Sequence, residues 1–516
     1  MPRKVRVRFA PSPTGPLHIG GVRTALFNYL FAQKYHGDFI LRIEDTDQAR
    51  FVPGAEEYIM ESLKWCGLQY NEGPDKGGPH TPYRQSERKD LYRQYAETLV
   101  VSGNAYYAFD EPDTLDSLRK QYELAGKIFQ YDSSTRLTLQ NSLTLSSEET
   151  TRLLETGVPH VIRFRMPEKE EVSITDLIRG EVTFHTGLLD DKVLFKADGL
   201  PTYHLAHVTD DYLMEITHVI RGEEWLTSLP LHVLLYRALG WEHVMPQFAH
   251  LPLILKPSGQ GKLSKRDGDK MGFPVIPLQW TDPESGEVSS GYRESGYFPE
   301  AMINILAFLG WNPGTEQELF SLCELVDAFS LERVGKSGAR FDPEKAKWYN
   351  QHYMKAKSDE ELAALFIPVL QERGISIRPD FVKKIAGMVK ERLVFPHEFW
   401  DQAFYFFEGP ISYEQQMVKK VWKEDTPQII SAVKDLLQGT NNFSSGGLEN
   451  LIRQYIEQHS LGFGRVAAPL RLLIVGSGKG PHLFDILEMI GKEETIKRIE
   501  RGIEKINKSE VTKSLG

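Results

Sequence analysis

His18-Ile19-Gly20-Gly21 places an imidazole and two glycines at the start of a helical pattern. Glycines let a nucleotide approach the backbone, and a helix N-terminus presents unpaired N–H groups to phosphate. Far downstream, Lys262 and Lys265 stand three apart in Lys262-Leu263-Ser264-Lys265-Arg266, a segment bounded by Gly259, Gly261 and Gly268. Two ammonium groups on such a loop can converge on phosphate oxygens as mobile point charges. Each motif has a plain alternative, a loop turn for the first and a solvated basic loop for the second, because short motifs recur by chance. What the two share is phosphate chemistry.

The surrounding elements have to hold these groups. Lys4 to Ala10 alternates and predicts a strand, ended by the turn cluster Pro11-Ser12-Pro13-Thr14-Gly15-Pro16. Apolar residues at helical spacing from Gly21 to Tyr35 predict a helix, with Gly37 as its stop. Phe39 to Ile43 predicts a strand buried on both faces. Strand, helix, strand with ligand-type residues at the strand ends begins a doubly wound nucleotide-binding sheet. The stretch 102–198 reads as an insertion of polar helices and short strands. The sheet pattern is expected to resume at Val193–Phe195, Thr202–His207 and Ile216–Ile220. Met271 to Gly296, rich in Gly, Pro and Ser, reads as a surface excursion, and helical periodicity dominates from Pro299 onward. The expected fold class is α/β: a doubly wound, Rossmann-like catalytic domain with an inserted α+β domain, followed by an all-α C-terminal region.

Composition sets outer bounds. A chain of 516 residues is too long for one core, and 41% hydrophobic with 26% charged residues is ordinary for a globular protein. No apolar run is long enough to span a bilayer, and the N-terminus enters a strand without a signal peptide's apolar segment. Two cysteines, Cys66 and Cys323, make no disulfide framework, so a cytoplasmic compartment is expected. A net charge of −10 argues against indiscriminate nucleic-acid binding, yet a local basic face can coexist with it.

The two motifs in this order, with Ala10-Pro-Ser-Pro-Thr-Gly15 before the histidine, resemble the ATP signatures of the class I aminoacyl-tRNA synthetases. Three further segments narrow the resemblance to the bacterial and organellar glutamyl-tRNA synthetases: Arg8 to Asn28, Leu41-Arg-Ile-Glu-Asp-Thr-Asp47 and Val219-Ile-Arg-Gly-Glu-Glu224. The resemblance implies ligation of L-glutamate to tRNA(Glu) through a glutamyl-adenylate, with ATP and Mg2+, and a monomer is expected. It places His18, Lys262 and Lys265 in catalysis. Pro11, Gly20, Gly21, Leu263, Ser264 and Arg266 join them around ATP. The family usually has a second histidine where Gly21 stands, a variant the glutamyl branch tolerates.

Carried over position by position, Glu44 pairs with the substrate's amino group. Arg8 and Arg221 hold its side-chain carboxylate, Tyr203 hydrogen-bonds nearby and Ser12 supports the pocket. His207 stands where the family often has Asn, so it is either a pocket residue or a satisfied structural histidine. Glu44 and Asp47 also admit a helix N-cap or an ion pair with Arg42 or Arg50, and Arg8 an exposed strand face. Glutamate and glutamine are nearly isosteric, so charge must separate them. A buried Arg221 facing a carboxamide loses about 3–5 kcal/mol, on the order of 10²–10⁴ in rate.

The implied domains are 1–101 and 199–252, the halves of the catalytic domain, and 102–198, the inserted acceptor-end-binding domain. A stem-contact domain with the lysine loop follows at 253–338, then helical anticodon-binding subdomains at 339–398 and 399–516. In the last two, Arg392, Arg465 and Arg471 are the tRNA-binding candidates, a guanidinium being able both to stack and to hydrogen-bond a base. Many relatives bind zinc in the insertion through cysteines. Here Ala108, Asp110 and Thr135 occupy the matching positions, so no zinc is expected. Two rivals share these motifs: an enzyme that also charges tRNA(Gln), and a catalytically silent tRNA-binding relative. The intact Lys262 and Lys265 argue against the second.

Overall fold

The structure, a computed structural model, describes residues 3–514, leaving out the side chains of Lys265, Asp269 and residues 509–514. The chain divides into two compact units between Tyr349 and Asn350.

The first unit opens with β1 (Arg6–Phe9), α1 (Ile19–Lys34) and β2 (Asp38–Leu41), and β1 pairs parallel with β2 from Arg6↔Asp38 to Phe9↔Leu41. All four residues of β1 are buried, arginines included, because each guanidinium finds a carboxylate: Arg6 meets Asp38 and Glu72, and Arg8 meets Asp211. Gly37 is not the helix stop expected of it. The left-handed residue after α1 is His36, with φ 51°, and Gly37 is needed because a Cβ there would lie 2.3 Å from the Val5 carbonyl oxygen.

After α2 (Ala55–Trp65) and α3 (Lys89–Val101) the inserted region begins with β3 (Ala105–Ala108), α4 (Pro112–Leu124), α5 (Ser147–Glu155) and β4 (Val161–Phe164). A hairpin of β5 (Glu171–Asp176) and β6 (Gly180–His185) follows, then β7 (Val193–Phe195). β3, β4 and β7 form their own antiparallel sheet over a small core that includes Tyr106, Leu115 and Tyr131. The β5–β6 hairpin instead rejoins the catalytic sheet, where β5 runs parallel to β9 (Gln247–Leu251) through Asp176↔Phe248. β8 (His218–Gly222) pairs parallel with β9 on its other side, giving the order β6-β5-β9-β8. Thr217, just before β8, donates its N–H to the Arg6 carbonyl at 2.9 Å, which sets β8 against β1.

Two expectations are corrected. Thr202–His207 is not a strand but the entry of α6 (Tyr203–Leu213), whose residues from Leu205 to Asp211 are all buried. A helix enclosed on every side has no polar stripe to betray its period. Met271–Gly296 is only partly an excursion. Val275, Ile276, Leu278, Trp280 and Tyr292 are buried, Ile19 donates its N–H to the Val275 carbonyl, and the Tyr58 hydroxyl to that of Leu278. Its longest exposed stretch, around 281–288, is the turn of a small hairpin in which Trp280–Thr281 pairs with Val288–Ser289.

The second unit is helical throughout its described residues. Helices Asp359–Gln371, Pro379–Val389 and Phe399–Ala403 pack through stacked Phe366 and Phe399 rings 4.0 Å apart. A second group spans Thr426–Gly439, Ser445–Gln458, Phe463–Val475, Leu483–Ile490 and Lys492–Ser514. Among the described residues no helix is long and apolar enough to cross a membrane.

Candidate active site

The carboxyl ends of β1 and β8, the start of α1 and the first turn of α6 open into a cavity of about 780 Å³. Open α/β sheets bind ligands at this edge, where the strands end and the connections diverge. Arg8, Pro11, Ser12, His18, Gly20, Gly21, Glu44, Tyr203, His207, Arg221, Lys262, Leu263 and Ser264 all line it. One wall of the cavity suits phosphate and the other an amino acid.

On the first wall His18 caps α1. Its Nδ1 accepts the Gly20 N–H at 3.1 Å, so the ring proton sits on Nε2, which is buried without a partner among the described residues. Burial, with Lys262 nearby, pushes His18 down to about 4, so at neutral pH it is an uncharged donor. A Cβ on Gly21 would come within 2.5 Å of Leu17, so that glycine lets α1 close onto the preceding loop. Lys262 is half-exposed and rests on Glu224 at 2.9 Å. Leu263 is buried beneath it. Ser264 donates through both its N–H and its hydroxyl to Asp267 at the start of a short helix, Lys265–Met271. Arg266 is exposed and outside the cavity lining, and the Lys265 side chain lies outside the described residues.

On the second wall the arginines differ. Arg8 grips Asp211 through Nε at 2.9 Å and Nη2 at 3.3 Å, so it is buried and paired rather than exposed on a strand face. Arg42, wholly buried, bridges Asp211 and Glu44 at 2.8 and 2.9 Å. Burial alone would raise the Glu44 carboxyl, but the His207 hydrogen bond and Arg42 hold it below its usual range. Asp211 is likewise held well below its usual range by Arg8, His207 and Arg42, against burial.

Arg221 has no carboxylate within salt-bridge distance among the described residues, although it is only 5% exposed. Its guanidinium meets neutral acceptors. Nη1 donates to the Tyr203 hydroxyl at 2.9 Å and faces His207 Nε2 and His232 Nδ1 at 3.3 Å. Nη2 donates to the Trp225 carbonyl, and Nε to His250 Nε2 at 3.0 Å. Burial pushes His207 down to about 4 and His232 and His250 below their ordinary values. The orientation of His207 follows from its neighbours. Arg8 and Arg221 both point N–H groups at Nε2, so Nδ1 carries the proton and donates to Glu44 at 3.2 Å. Asp47 is placed elsewhere, in an exposed ion pair with Arg50, and Asp45 accepts from the Ser86 N–H and hydroxyl.

Several lining or supporting residues are given no role in the reading of the chain: Glu224, Trp225, Asp211, His232, His250 and Asp176. Trp225 lies over Tyr203 with ring centroids 4.4 Å apart. Glu224 closes the quoted Arg-Gly-Glu-Glu segment, and that adjacency is the one clue available.

At the positions read as former zinc ligands, Asp110 accepts from the Tyr131 hydroxyl and the Gln140 N–H, both at 2.9 Å. Thr135 donates to the Gln130 carbonyl at 2.6 Å, and Asn141 ties Tyr131 to the same loop. Among the described residues no group of three or more His, Cys, Asp or Glu could hold a metal ion. In the helical unit, Arg392 donates to the Gly480 carbonyl at 2.7 Å, and Arg471 Nη1 comes within 3.1 Å of where a Gly480 Cβ would stand. The latter nitrogen is buried without a partner among the described residues. Arg465 stands apart, paired with Asp425.

Residues 4–348 match the family described as tRNA synthetases class I (E and Q), catalytic domain, and residues 361–503 match an anticodon binding domain. The chain is 57% identical to the glutamate–tRNA ligase of Christiangramia forsetii over 98% of its length and 99% of that protein. It is 58% identical to that of Flavobacterium psychrophilum, with the same coverage. A crystal structure of a glutamate tRNA ligase from Elizabethkingia meningosepticum in complex with its amino acid superposes with a TM-score of 0.95. That match has 51% identity and covers 98% of this chain and 100% of the other.

Proposed function

Because the chain belongs to the class I tRNA synthetases, and within them to the glutamate–tRNA ligases, we propose that its two-walled cavity assembles glutamyl-adenylate from glutamate and ATP. The enzyme attaches glutamate to tRNA. The observation that carries our reading of its residues is Arg221, a buried guanidinium surrounded by neutral donors and acceptors in a cavity shared with His18 and Lys262.

Glutamate is oriented at three points. Its side-chain carboxylate meets Arg221 and the Tyr203 hydroxyl, while Arg8, already neutralised by Asp211, adds hydrogen-bonding capacity without net charge. Its ammonium faces Glu44, whose carboxylate stays ionised. Its α-carboxylate is left pointing toward the phosphate wall. There the α-carboxylate oxygen attacks the α-phosphorus of ATP, the bond to the bridging oxygen breaks, and pyrophosphate leaves. His18 donates from Nε2 to a phosphate oxygen beside the positive end of the α1 dipole, whose first N–H groups are already engaged by Val275 and by His18 itself. Lys262 and Lys265 act where charge grows on the leaving pyrophosphate, so their effect is concentrated in the transition state. Mg2+ accompanying ATP would supply neutralisation of phosphate charge; among the described residues no group of three or more His, Cys, Asp or Glu is placed to hold it. A terminal ribose hydroxyl of tRNA then attacks the acyl carbon and AMP departs. The insertion and the helical unit supply the tRNA contacts, with Arg392 and Arg471 around Gly480 at the anticodon.

Aminoacylation with radiolabelled glutamate, against separately purified tRNAs for glutamate and glutamine, tests this reading. Charging of tRNA(Glu) that depends on ATP is expected. Adenylate formation undiminished by loss of both His18 and Arg221 would overturn the assignment.

A further inference from the structure

Arg221 and His250 face each other across neighbouring parallel strands, in register on β8 and β9. One strand further on, Asp176 ends β5 beside Phe248 of β9. The three side chains therefore form a row across the sheet, directly beneath the cavity. Asp176 Oδ2 accepts the His250 Nδ1–H at 2.6 Å, and His250 Nε2 accepts the Arg221 Nε–H at 3.0 Å. The remaining oxygen of Asp176 is fully engaged by the N–H groups of Ile178 and Arg179 at 2.9 and 2.8 Å, with that of His250 at 3.4 Å. Asp176 and His250 are 1% and 0% exposed, so no solvent completes these contacts.

Only one tautomer fits this row. A proton on Nε2 would meet the Arg221 N–H head on, whereas a proton on Nδ1 satisfies Asp176 and leaves Nε2 as an acceptor. A carboxylate in place of His250 would also fix the arginine, but it would neutralise the charge that must face the ligand. An imidazole steers the guanidinium through Nε and leaves that charge uncompensated. Burial, acting against the Asp176 hydrogen bond, holds His250 below its ordinary value and so keeps it neutral.

We infer that Asp176 and His250 are positioning residues for amino-acid specificity: the carboxylate sets the imidazole tautomer, and the imidazole sets the plane of Arg221 without neutralising it. This rests on the reading of Arg221 as the partner of the substrate's side-chain carboxylate.

The two amide replacements of His250 separate the roles. In His250→Gln the carbonyl oxygen falls near the site of Nε2 and still accepts from Arg221. In His250→Asn the amide falls near Nδ1, serves Asp176 and leaves Arg221 Nε unsatisfied. Glutamate binding by calorimetry on the full chain, and kcat/KM for glutamate and glutamine with tRNA present, are compared with the KM for ATP and the Tm. His250→Asn is expected to weaken glutamate binding by about ten- to a hundredfold, the scale of one hydrogen bond to a charged group. It should narrow the glutamate-to-glutamine ratio and leave the ATP KM within about twofold, and His250→Gln should restore most of the loss. Should His250→Asn not fold, Asp176→Asn takes its place, because its amide N–H forces the imidazole into the wrong tautomer and should reproduce the same selective loss. Equal losses in the Asn and Gln variants, or a parallel loss for ATP, would overturn the inference. A wild-type protein that binds ATP but no glutamate would instead overturn the underlying reading of the site, and this inference with it.

Discussion

Replacing Arg221 by Gln removes a buried guanidinium of the cavity that no protein carboxylate matches among the described residues, while preserving much of its length. Its surroundings are three imidazoles, a phenol and a carbonyl, all uncharged. With glutamate bound, the substrate carboxylate becomes the missing partner of a buried pair. Breaking such a pair costs about 3–5 kcal/mol. In kcat/KM that is a fall of about 10²–10⁴ for glutamate. Glutamine should suffer far less, because in the wild type its carboxamide leaves the guanidinium unpaired. The ratio of kcat/KM for the two amino acids should therefore collapse, with tRNA present and the ATP KM nearly unchanged. A ratio held within a few-fold of wild type while both rates fall would refute the reasoning. It would assign Arg221 a structural part and move the specificity charge to Arg8.

Lys262→Ala should lower kcat in pyrophosphate exchange far more than it raises the KM for ATP; an effect confined to KM would show that the loop serves only ground-state binding. His207, held near 4 in the folded chain against 6.5 when free, binds its proton in the unfolded state first, so stability is full above pH 6.5 and falls as pH drops toward 4. At pH 5 this one imidazole costs on the order of 2 kcal/mol, and His207→Asn should show a correspondingly smaller fall in Tm between pH 7 and pH 5. An unchanged fall would mean that the imidazole is not neutral in the native state. Metal analysis of the purified protein should find zinc well below stoichiometric, with Tm indifferent to a strong chelator; stoichiometric zinc whose removal lowers Tm would contradict the hydrogen-bonded arrangement around Asp110 and Thr135.

What was readable in advance, and what was not, divides by how far apart in the chain the contacting residues lie. His18, Gly20, Gly21 and the Lys262 loop sit in contiguous segments whose composition already states their chemistry. Arg8, Glu44, Tyr203 and Arg221 come from four separate elements. Family resemblance, rather than any periodicity, grouped them, and the cavity does contain all four. His232 and His250 each stand alone in apolar stretches and Asp176 in an alternating polar one, and only the folded arrangement makes them neighbours. No local pattern encodes the pairing of β5 with β9. The misreading of Thr202–His207 has the converse cause: complete burial erases the amphipathic signal on which helix recognition depends. Asp211 escaped notice for the same reason, sitting on the inner turn of that helix.

The hairpin that rejoins the catalytic sheet also bears on how such a chain can be cut and recombined. Residues 102–198 look exchangeable as a cassette, yet β5 and β6 are threaded into the host sheet, and Asp176 stands under the arginine of the amino-acid pocket. A chimaera joined at 101 and 198 would import a foreign edge strand and a foreign partner for His250. Junctions placed after Asn104 and before Glu171, with β7 returned to the host, would strand that last strand away from β3 and β4. The insertion therefore has no clean pair of seams, and any graft across it also touches the support of Arg221.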